Sequence, residues 1–284
     1  MKWLGLVVVT VTVLVAGLMA YGSWRWQEGS TALLARLEAA RVPLAVARYD
    51  ARELLGLPAP VQRYFRVALT DGQAIVTAVS IRHAGTFNMS ATAEQWKRFT
   101  SQQRVLTRRP GFDWDARVMM YPGVPWHVHD AYIAGAGLLH GAVLGLVTVV
   151  DMADTPELAR GELMRFFAEA ALYPTALLPS QGVRWEAVDD SSANATLSDG
   201  PLTLKLLVRF NAESLIDTVR AEARERVVDG KTATAPWQGR YWRYAIKDGM
   251  RVPMPADASA AAQADAHVCL LDALGICHPG SRRR

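Results

Sequence analysis

The chain has 284 residues, of which 51% are hydrophobic, 20% are charged and 8% are aromatic. This composition excludes a disordered chain, and the length provides one large domain or two small ones with a buried core. Three of the four net positive charges come from the terminal Arg282–Arg284, so the charge gives no ground for nucleic-acid binding. Two cysteines are too few for a disulfide scaffold or a four-thiolate zinc site.

An uncharged run of 22 residues lies near the N-terminus, from Trp3 to Trp24. As a helix it would be roughly 33 Å long, enough to cross a hydrocarbon core of about 30 Å. Aromatic residues at both ends resemble the aromatic belts of membrane interfaces. The sequence therefore predicts a membrane anchor over residues 3–24. A cleaved signal peptide is the alternative, because Ala20-Tyr21-Gly22 fits a small-x-small cleavage site.

The charges around this span leave its orientation open between two interpretations. Lys2 precedes the span and three arginines follow it by position 41, which by local counting would keep the following chain in the cytoplasm. Long domains translocate largely regardless of such charges, however. A short charged start before an apolar core is typical of a signal-anchor. We therefore expect a single-pass protein of the cell membrane whose main domain is extracytoplasmic.

Helical patterns continue from the span to about residue 72. Ser30 is placed to cap a new helix that Pro43 interrupts, and a further helical pattern precedes the Asp71-Gly72 turn. These helices are expected to carry the chain from the membrane to the main domain. The predicted parts are an anchor at 1–26, a helical neck at 27–72, a main domain at 73–254 and an atypical, disordered tail at 255–284.

After Gln73 the hydrophobic period becomes strand-like. Between 112 and 120, apolar side chains alternate with Asp113, Asp115 and Arg117, which predicts an antiparallel sheet with one face in a core. One strong helix follows, starting near Pro156 and running to about 171, and a second meander of short strands comes after it. The predicted fold class is α+β: a curved antiparallel β-sheet, similar to a half-barrel, packed on this helix and preceded by the transmembrane helix and the neck.

The predicted helix carries the sharpest catalytic candidates. Glu162, Arg165 and Glu169 fall on one face, where two carboxylates beside a guanidinium suit a general acid or base with its orienting partner. Asp115 is a further candidate, which either reaches the same pocket across the curved sheet or lines the solvent-exposed face of that sheet. The alternative is a solvated row of ion pairs that contributes little to stability.

Aromatic residues indicate a second kind of site, a surface for an apolar ligand. The candidates for ligand binding are Trp114, Asp130, Tyr132, Tyr173 and Trp185. His127 and His129 point the same way on one strand, which suits two metal ligands, but no third ligand completes the pattern. The sequence therefore predicts neither a metal nor a cofactor.

Four segments of the chain resemble a widespread bacterial family whose function is unknown: LPAPVQRYF, PGFDWDAR, YPTALLPSQGVRW and APWQGRY. The resemblance runs from about Leu57 to Pro253, and it implies no reaction. The family pattern continues beyond DGMRVP with a tryptophan-containing strand and a closing YW-type strand, where this chain has an alanine-rich tail. Our hypothesis is that the tail is out of frame or truncated, which sequencing of the locus checks.

Three functions remain open at this point. The first is a membrane-tethered protein that binds a lipid or another apolar ligand. The second is an envelope hydrolase that uses the Glu/Arg/Glu helix face. The third is an interaction module or a degenerate family copy. The expected partners are the membrane, through residues 3–24, and an apolar small molecule, with no nucleic acid.

Overall fold

The computed structural model describes residues 2–43, 45–89, 94–228 and 231–254, so the predicted tail and both cysteines lie outside the described residues. The described α-helices are α1 (Lys2–Ala39), α2 (Ala59–Ala68) and α3 (Pro156–Glu169). The strands form two main antiparallel sheets and a hairpin. This confirms the predicted α+β class with antiparallel sheets.

The first sheet is a six-stranded meander in which each strand pairs with its neighbour in the chain. Its strands are β1 (Ala78–Asn88), β2 (Trp96–Leu106), β3 (Gly111–Tyr121), β4 (Val124–Ile133), β5 (Ala136–Val143) and β6 (Val147–Ala153). Among the described strands the sheet does not close on itself, because β1 and β6 are its edges. The successive hairpin turns place the β3–β4 and β5–β6 turns at the same end of the sheet.

The second sheet is a five-stranded meander, and a two-stranded hairpin follows it. Its strands are β7 (Arg184–Asp189), β8 (Ser192–Asp199), β9 (Leu202–Phe210), β10 (Ile216–Val228) and β11 (Lys231–Arg240). The hairpin consists of β12 (Tyr244–Lys247) and β13 (Met250–Pro253).

Helix α3 lies in the core and contacts strands of both sheets. Thr155 caps its first turn by accepting a hydrogen bond from the Leu158 amide, and Pro156 occupies a position where its missing N–H costs nothing. Eleven of its fourteen residues are buried. The predicted helix is thus confirmed, and it is buried on almost every side.

Helix α2 belongs to the domain core, although its residues were expected in a neck. Tyr64 and Phe65 are fully buried. Tyr64 lies 5.5 Å from Phe210 between ring centres, and Phe65 meets Trp185 edge-on at 6.2 Å. These aromatic contacts join α2 to the second sheet.

Helix α1 is continuous through the predicted boundary between anchor and neck. Its residues up to Tyr21 are exposed and, apart from Lys2 and two threonines, apolar, and its length and composition suffice to cross a membrane. From Gly22 to Leu37, one side of the helix lies on the first sheet over roughly 22 Å. The prediction that Ser30 caps a new helix is therefore wrong. The apolar run and the following residues share one helix because no residue between them breaks it.

The two faces of the first sheet contact different helices. On β4, Val128 and Tyr132 pack in the core that contains α3, whereas Ala131 and Ile133 pack with Leu37 of α1. The alternation predicted from the sequence is confirmed. The face opposite the core is also covered, because α1 lies on it.

A contact between two glycines fixes the N-terminal end of this docked segment. A Cβ built on Gly22 would lie 2.1 Å from the carbonyl oxygen of Leu144, and one on Gly145 would lie 2.3 Å from that of Gly22. Neither distance is sterically allowed. The backbones of α1 and of the β5–β6 turn therefore touch directly.

Replacing Gly22 by alanine tests this close approach. Alanine favours a helix, yet its methyl group would push α1 off the turn, so we expect Gly22→Ala to lower the free energy of unfolding by about 1–3 kcal/mol. Gly17→Ala is the matched control, because nothing lies within 4 Å of a Cβ there. Thermal unfolding in detergent micelles measures both variants. Equal effects of the two substitutions would contradict the docked arrangement.

Candidate functional site

The predicted charged face of α3 forms a buried ion network with the first sheet. The Arg165 guanidinium donates from Nη1 to Asp130 Oδ2 and from Nε to Glu169 Oε1, the second bond measuring 2.9 Å. Gln103 donates to the other oxygen of Glu169 at 2.6 Å. The structure thus brings three of the predicted residues together and adds Gln103, which the sequence analysis missed.

Two aromatic rings on one face of β3 lie against the guanidinium of this network. Its central carbon lies 4.9 Å from the ring centre of Phe112 and 5.1 Å from that of Trp114. Burial alone would lower the pKa of Arg165, but the charges of Glu169, Asp130 and Glu162 outweigh it and raise that pKa. Arg165 therefore keeps its positive charge inside the protein.

Burial argues for a structural role of this network. The side chains of Arg165, Asp130 and Glu169 are 5%, 1% and 3% exposed, so a substrate reaches them only if the core opens. Asp115, the further candidate, lies on the opposite face of the sheet and contacts α1 instead. Alternation places Asp115 and Asp130 on different faces, because Trp114 is paired with Asp130 across the two strands.

The predicted ligand-binding aromatics are packed in the core. Tyr173 donates to the carbonyl of Phe166, Trp185 to that of Leu177, and Tyr132 to Asp199. Between α3 and the second sheet, the space beside Phe167 and Leu206 amounts to about 10 Å³, too small for an acyl chain. These residues therefore pack against one another, and they do not surround a ligand-sized space between α3 and that sheet.

Arg165→Met measures how much the buried network contributes to stability. The substitution leaves Asp130 and Glu169 buried without their cation, so we expect the free energy of unfolding to fall by about 3–5 kcal/mol. Arg160→Met on the same helix is the control. Arg160 donates to the Thr203 carbonyl and has no carboxylate partner among the described residues, so its loss should cost less than about 1 kcal/mol. Urea unfolding measures the stability of both variants. Similar losses of stability would contradict the structural role of the network.

A second polar cluster lies on the outer face of the first sheet, beneath α1. Trp26 donates from Nε1 to Asp115 Oδ1 at 3.0 Å. Ser30 Oγ lies 2.9 Å from Asp115 Oδ2 and 2.8 Å from His129 Nε2. The other ring nitrogen of His129, Nδ1, lies 2.9 Å from Asp113 Oδ1. One serine, one histidine and one aspartate are thus linked in series, with Asp115 beside them.

Trp26 covers a row of three histidines in this cluster. Its ring stacks on His129 at 4.7 Å with an interplanar angle of 15°, and it lies 5.1 Å from His127 and 5.6 Å from His140. Within the part of the chain that the structure describes, no group of three His, Cys, Asp or Glu side chains has the geometry of a metal site. Both nitrogens of His129 are engaged by protein atoms.

The protonation of His129 depends on the charges around it. Burial alone would lower its pKa, but the hydrogen bond and the charge of Asp113, together with the charge of Asp115, raise it above the ordinary value. Its other ionisable neighbours are His127 on the same strand, His140 on β5, and the arginines of α1 that share a groove with it. The net effect is a histidine that binds a proton more tightly than usual.

A groove of about 250 Å³ opens beside this cluster, between α1 and strands β5 and β6. Arg25, Gly29, Ala32 and Arg36 line it from successive turns of α1, because these positions share one helix face. The opposite wall is mostly apolar: Leu138, Ala142, Gly145 and Thr148, with His140. His129 lines the groove too, so the cluster borders a space that solvent reaches.

The family comparison covers most of the domain but not α1. The model of a family of unknown function matches residues 55–268, which is more than half of the chain. The chain belongs to the DUF6920 family. No curated protein and no solved structure matches it. The DUF6920 match includes Asp113, Asp115 and His129, whereas Trp26 and Ser30 precede it.

The sequence analysis missed the outer cluster of this DUF6920 protein for identifiable reasons. The sequence suggested His129 only as one of two metal ligands that lack a third, Ser30 as a helix cap, and Asp113 as one residue of a polar strand face. The one signal that pointed to a site was the polar row on the face opposite the core, made by Asp113, Asp115, His127 and His129. Nothing in the sequence showed that α1 would cover this row.

The raised pKa of His129 predicts that docking of α1 weakens as pH rises. The contribution of His129 to the free energy of unfolding is fully present below about pH 6.5, its ordinary pKa. This contribution is lost as pH increases through the folded-state pKa. We expect the stability difference between the native protein and His129→Gln to shrink as pH rises from 6 through the folded-state pKa of His129. Urea unfolding across this range measures it.

His83→Gln provides a control of opposite sign. Burial lowers the pKa of His83, so the contribution of His83 to the free energy of unfolding decreases as pH falls. The same pH trend in both variants would show that global charge, and not the local environment of His129, causes the effect.

Proposed function

We propose that this protein is a membrane-anchored binding protein for an amphiphile with an anionic head group. The head group would occupy the groove between α1 and strands β5 and β6, while the apolar part stays in the membrane. The observation that carries the proposal is the pair of arginines on the α1 wall. Neither Arg25 nor Arg36 has a carboxylate partner among the described residues, and both line the groove.

The chemistry of the groove supports an amphiphile over a wholly apolar ligand. Guanidinium groups bind phosphate and carboxylate through paired hydrogen bonds. Leu33 and Leu138 supply apolar surface in the same space. A volume of about 250 Å³ is below the usual range of about 300–1,000 Å³ for drug-sized ligands, so it fits a head group better than a whole lipid.

The position of the groove supports a membrane source for the ligand. Gly22, where α1 first contacts the sheet, precedes Arg25 by less than one turn, and Gly145 of the touching turn lines the groove. Large apolar side chains are exposed at this end of the sheet: Tyr121 is 67% exposed and Val147 is 64% exposed. Such residues are suited to a membrane surface. The side of the membrane on which the domain lies stays a prediction, extracytoplasmic as expected above.

Lipid capture by the full chain tests the proposal. The protein is inserted into nanodiscs that contain phosphatidylglycerol and phosphatidylcholine, and native mass spectrometry counts the lipids that remain bound after release. We expect preferential retention of the anionic lipid, reduced at least about tenfold in Arg25→Gln/Arg36→Gln, since each charge-assisted pair is worth about 1.5–3 kcal/mol.

Arg41→Gln is the matched control, because Arg41 follows the same helix but pairs with Glu38 and does not line the groove. Retention of both lipids to the same extent, or equal losses in the double variant and the control, would contradict the proposal.

A further inference from the structure

The geometry points to a second activity at the same place: Ser30, His129 and Asp113 form the nucleophile, the base and the orienting acid of an ester hydrolase. The substrate class is an acyl ester whose carboxyl carbon enters the groove beside His129. This inference rests on the proposed function for the source of the ester, and it deepens that function from binding to cleavage.

The order of the contacts is what such a mechanism requires. A serine nucleophile needs a histidine nitrogen within hydrogen-bond reach, and the other nitrogen of that ring needs a carboxylate that fixes its tautomer. Here Ser30 Oγ lies 2.8 Å from His129 Nε2, and Asp113 Oδ1 lies 2.9 Å from Nδ1. The two partners thus occupy opposite ends of one imidazole ring.

Burial differs along this series in the direction that catalysis needs. The side chains of His129 and Asp113 are 5% and 8% exposed, which limits competition from water for their hydrogen bond. Ser30 is half-buried, and residues on either side of it along the helix, Trp26 and Leu33, line the groove. His129 itself borders the groove, and Ser30 lies within hydrogen-bond distance of it.

The contacts of Ser30 to α1 and Asp115 define the competing structural role. Its hydroxyl group also lies 3.1 Å from the Trp26 carbonyl and 2.9 Å from Asp115, and it has one proton to donate. When His129 is neutral, the Nε2 lone pair accepts that proton and Ser30 is activated. When His129 is charged, Nε2 donates to Ser30 Oγ instead, and the serine only holds α1 against the sheet. The two roles therefore belong to different pH ranges.

The reaction uses only the ester and water. Ser30 Oγ bonds to the acyl carbon while its proton passes to His129 Nε2, and the alcohol leaves with that proton. Water then loses a proton to His129 and attacks the acyl carbon, the Oγ–acyl bond breaks, and Ser30 takes back the proton. One ester and one water give one acid and one alcohol. Because Ser30 lies before residue 55, the inference concerns this chain and not the whole DUF6920 family.

Covalent labelling of the full chain in mild detergent tests the assignment. The probe is a fluorophosphonate, which phosphonylates activated serines with loss of fluoride, and peptide mass spectrometry locates the adduct. We expect an adduct on Ser30 whose rate rises with pH through the pKa of His129. His129→Gln should slow labelling at least about a hundredfold, and Asp113→Asn should slow it too. Hydrolysis of p-nitrophenyl butyrate should fall at least about a thousandfold in Ser30→Ala.

The chain offers a matched control at another serine–histidine pair. Ser101 Oγ lies 3.1 Å from His83 Nδ1 inside the domain, and Ser101 is buried. Ser101→Ala should therefore leave labelling of Ser30 unchanged. If Ser30→Ala fails to fold, Ser30→Cys keeps the position of the nucleophile, and its thiol should react with iodoacetamide faster than the same thiol in Ser30→Cys/His129→Gln.

The outcomes separate this inference from the proposed function. A folded native protein with no adduct on Ser30, or an adduct whose rate is insensitive to His129→Gln, overturns the hydrolase assignment even where anionic lipid is retained. Labelling of Ser30 in a protein that retains no anionic lipid supports the triad and overturns the proposed lipid binding.

Discussion

The hydrogen bonds from Trp26 and Ser30 to Asp115 and His129 hold α1 against the first sheet, and the position of the groove depends on them. They join a residue pair one helical turn apart to side chains on two neighbouring strands, so they fix the rotation of the helix as well as its distance. The Gly22–Gly145 contact at one end and the Arg104–Glu38 ion pair at the other fix its direction. The groove exists only because α1 lies along this line.

The first sheet separates two polar clusters that contain similar residue types in the sequence. On the inner face, Arg165 is surrounded by Asp130, Glu169 and aromatic rings, with almost no access to solvent. Such a network stabilises the fold when it is intact and is costly when one partner is lost. On the outer face, the series from Asp113 to Ser30 borders a groove through His129. The two clusters contain similar residue types but differ in solvent access. This difference is why we give the inner network a structural role and place the proposed reaction on the outer face.

Much of the fold was predictable because its signals are local. The uncharged run, the alternation around Trp114 and the capped start at Pro156 each specify an element from a few neighbouring residues. The pairing of elements is not local. Ser30 and His129 are 99 residues apart and meet only because α1 continues past the expected boundary. Alternation correctly put Asp115 on the face opposite Trp114, but it does not specify which helix covers that face, and so Asp115 remained a candidate for the pocket at α3.

Cysteine cross-linking tests the docked position of α1 most directly. Leu33 and Leu138 pack in one apolar cluster and line the groove, whereas Leu34 is exposed on another side of the helix. In a background with Cys269 and Cys277 replaced by serine, we expect a short bismaleimide to join cysteines at 33 and 138 efficiently in native membranes. Cysteines at 34 and 138 should react individually without being joined. Equal cross-linking of both pairs, or none of either, would contradict the docked helix on which the groove and its proposed chemistry depend.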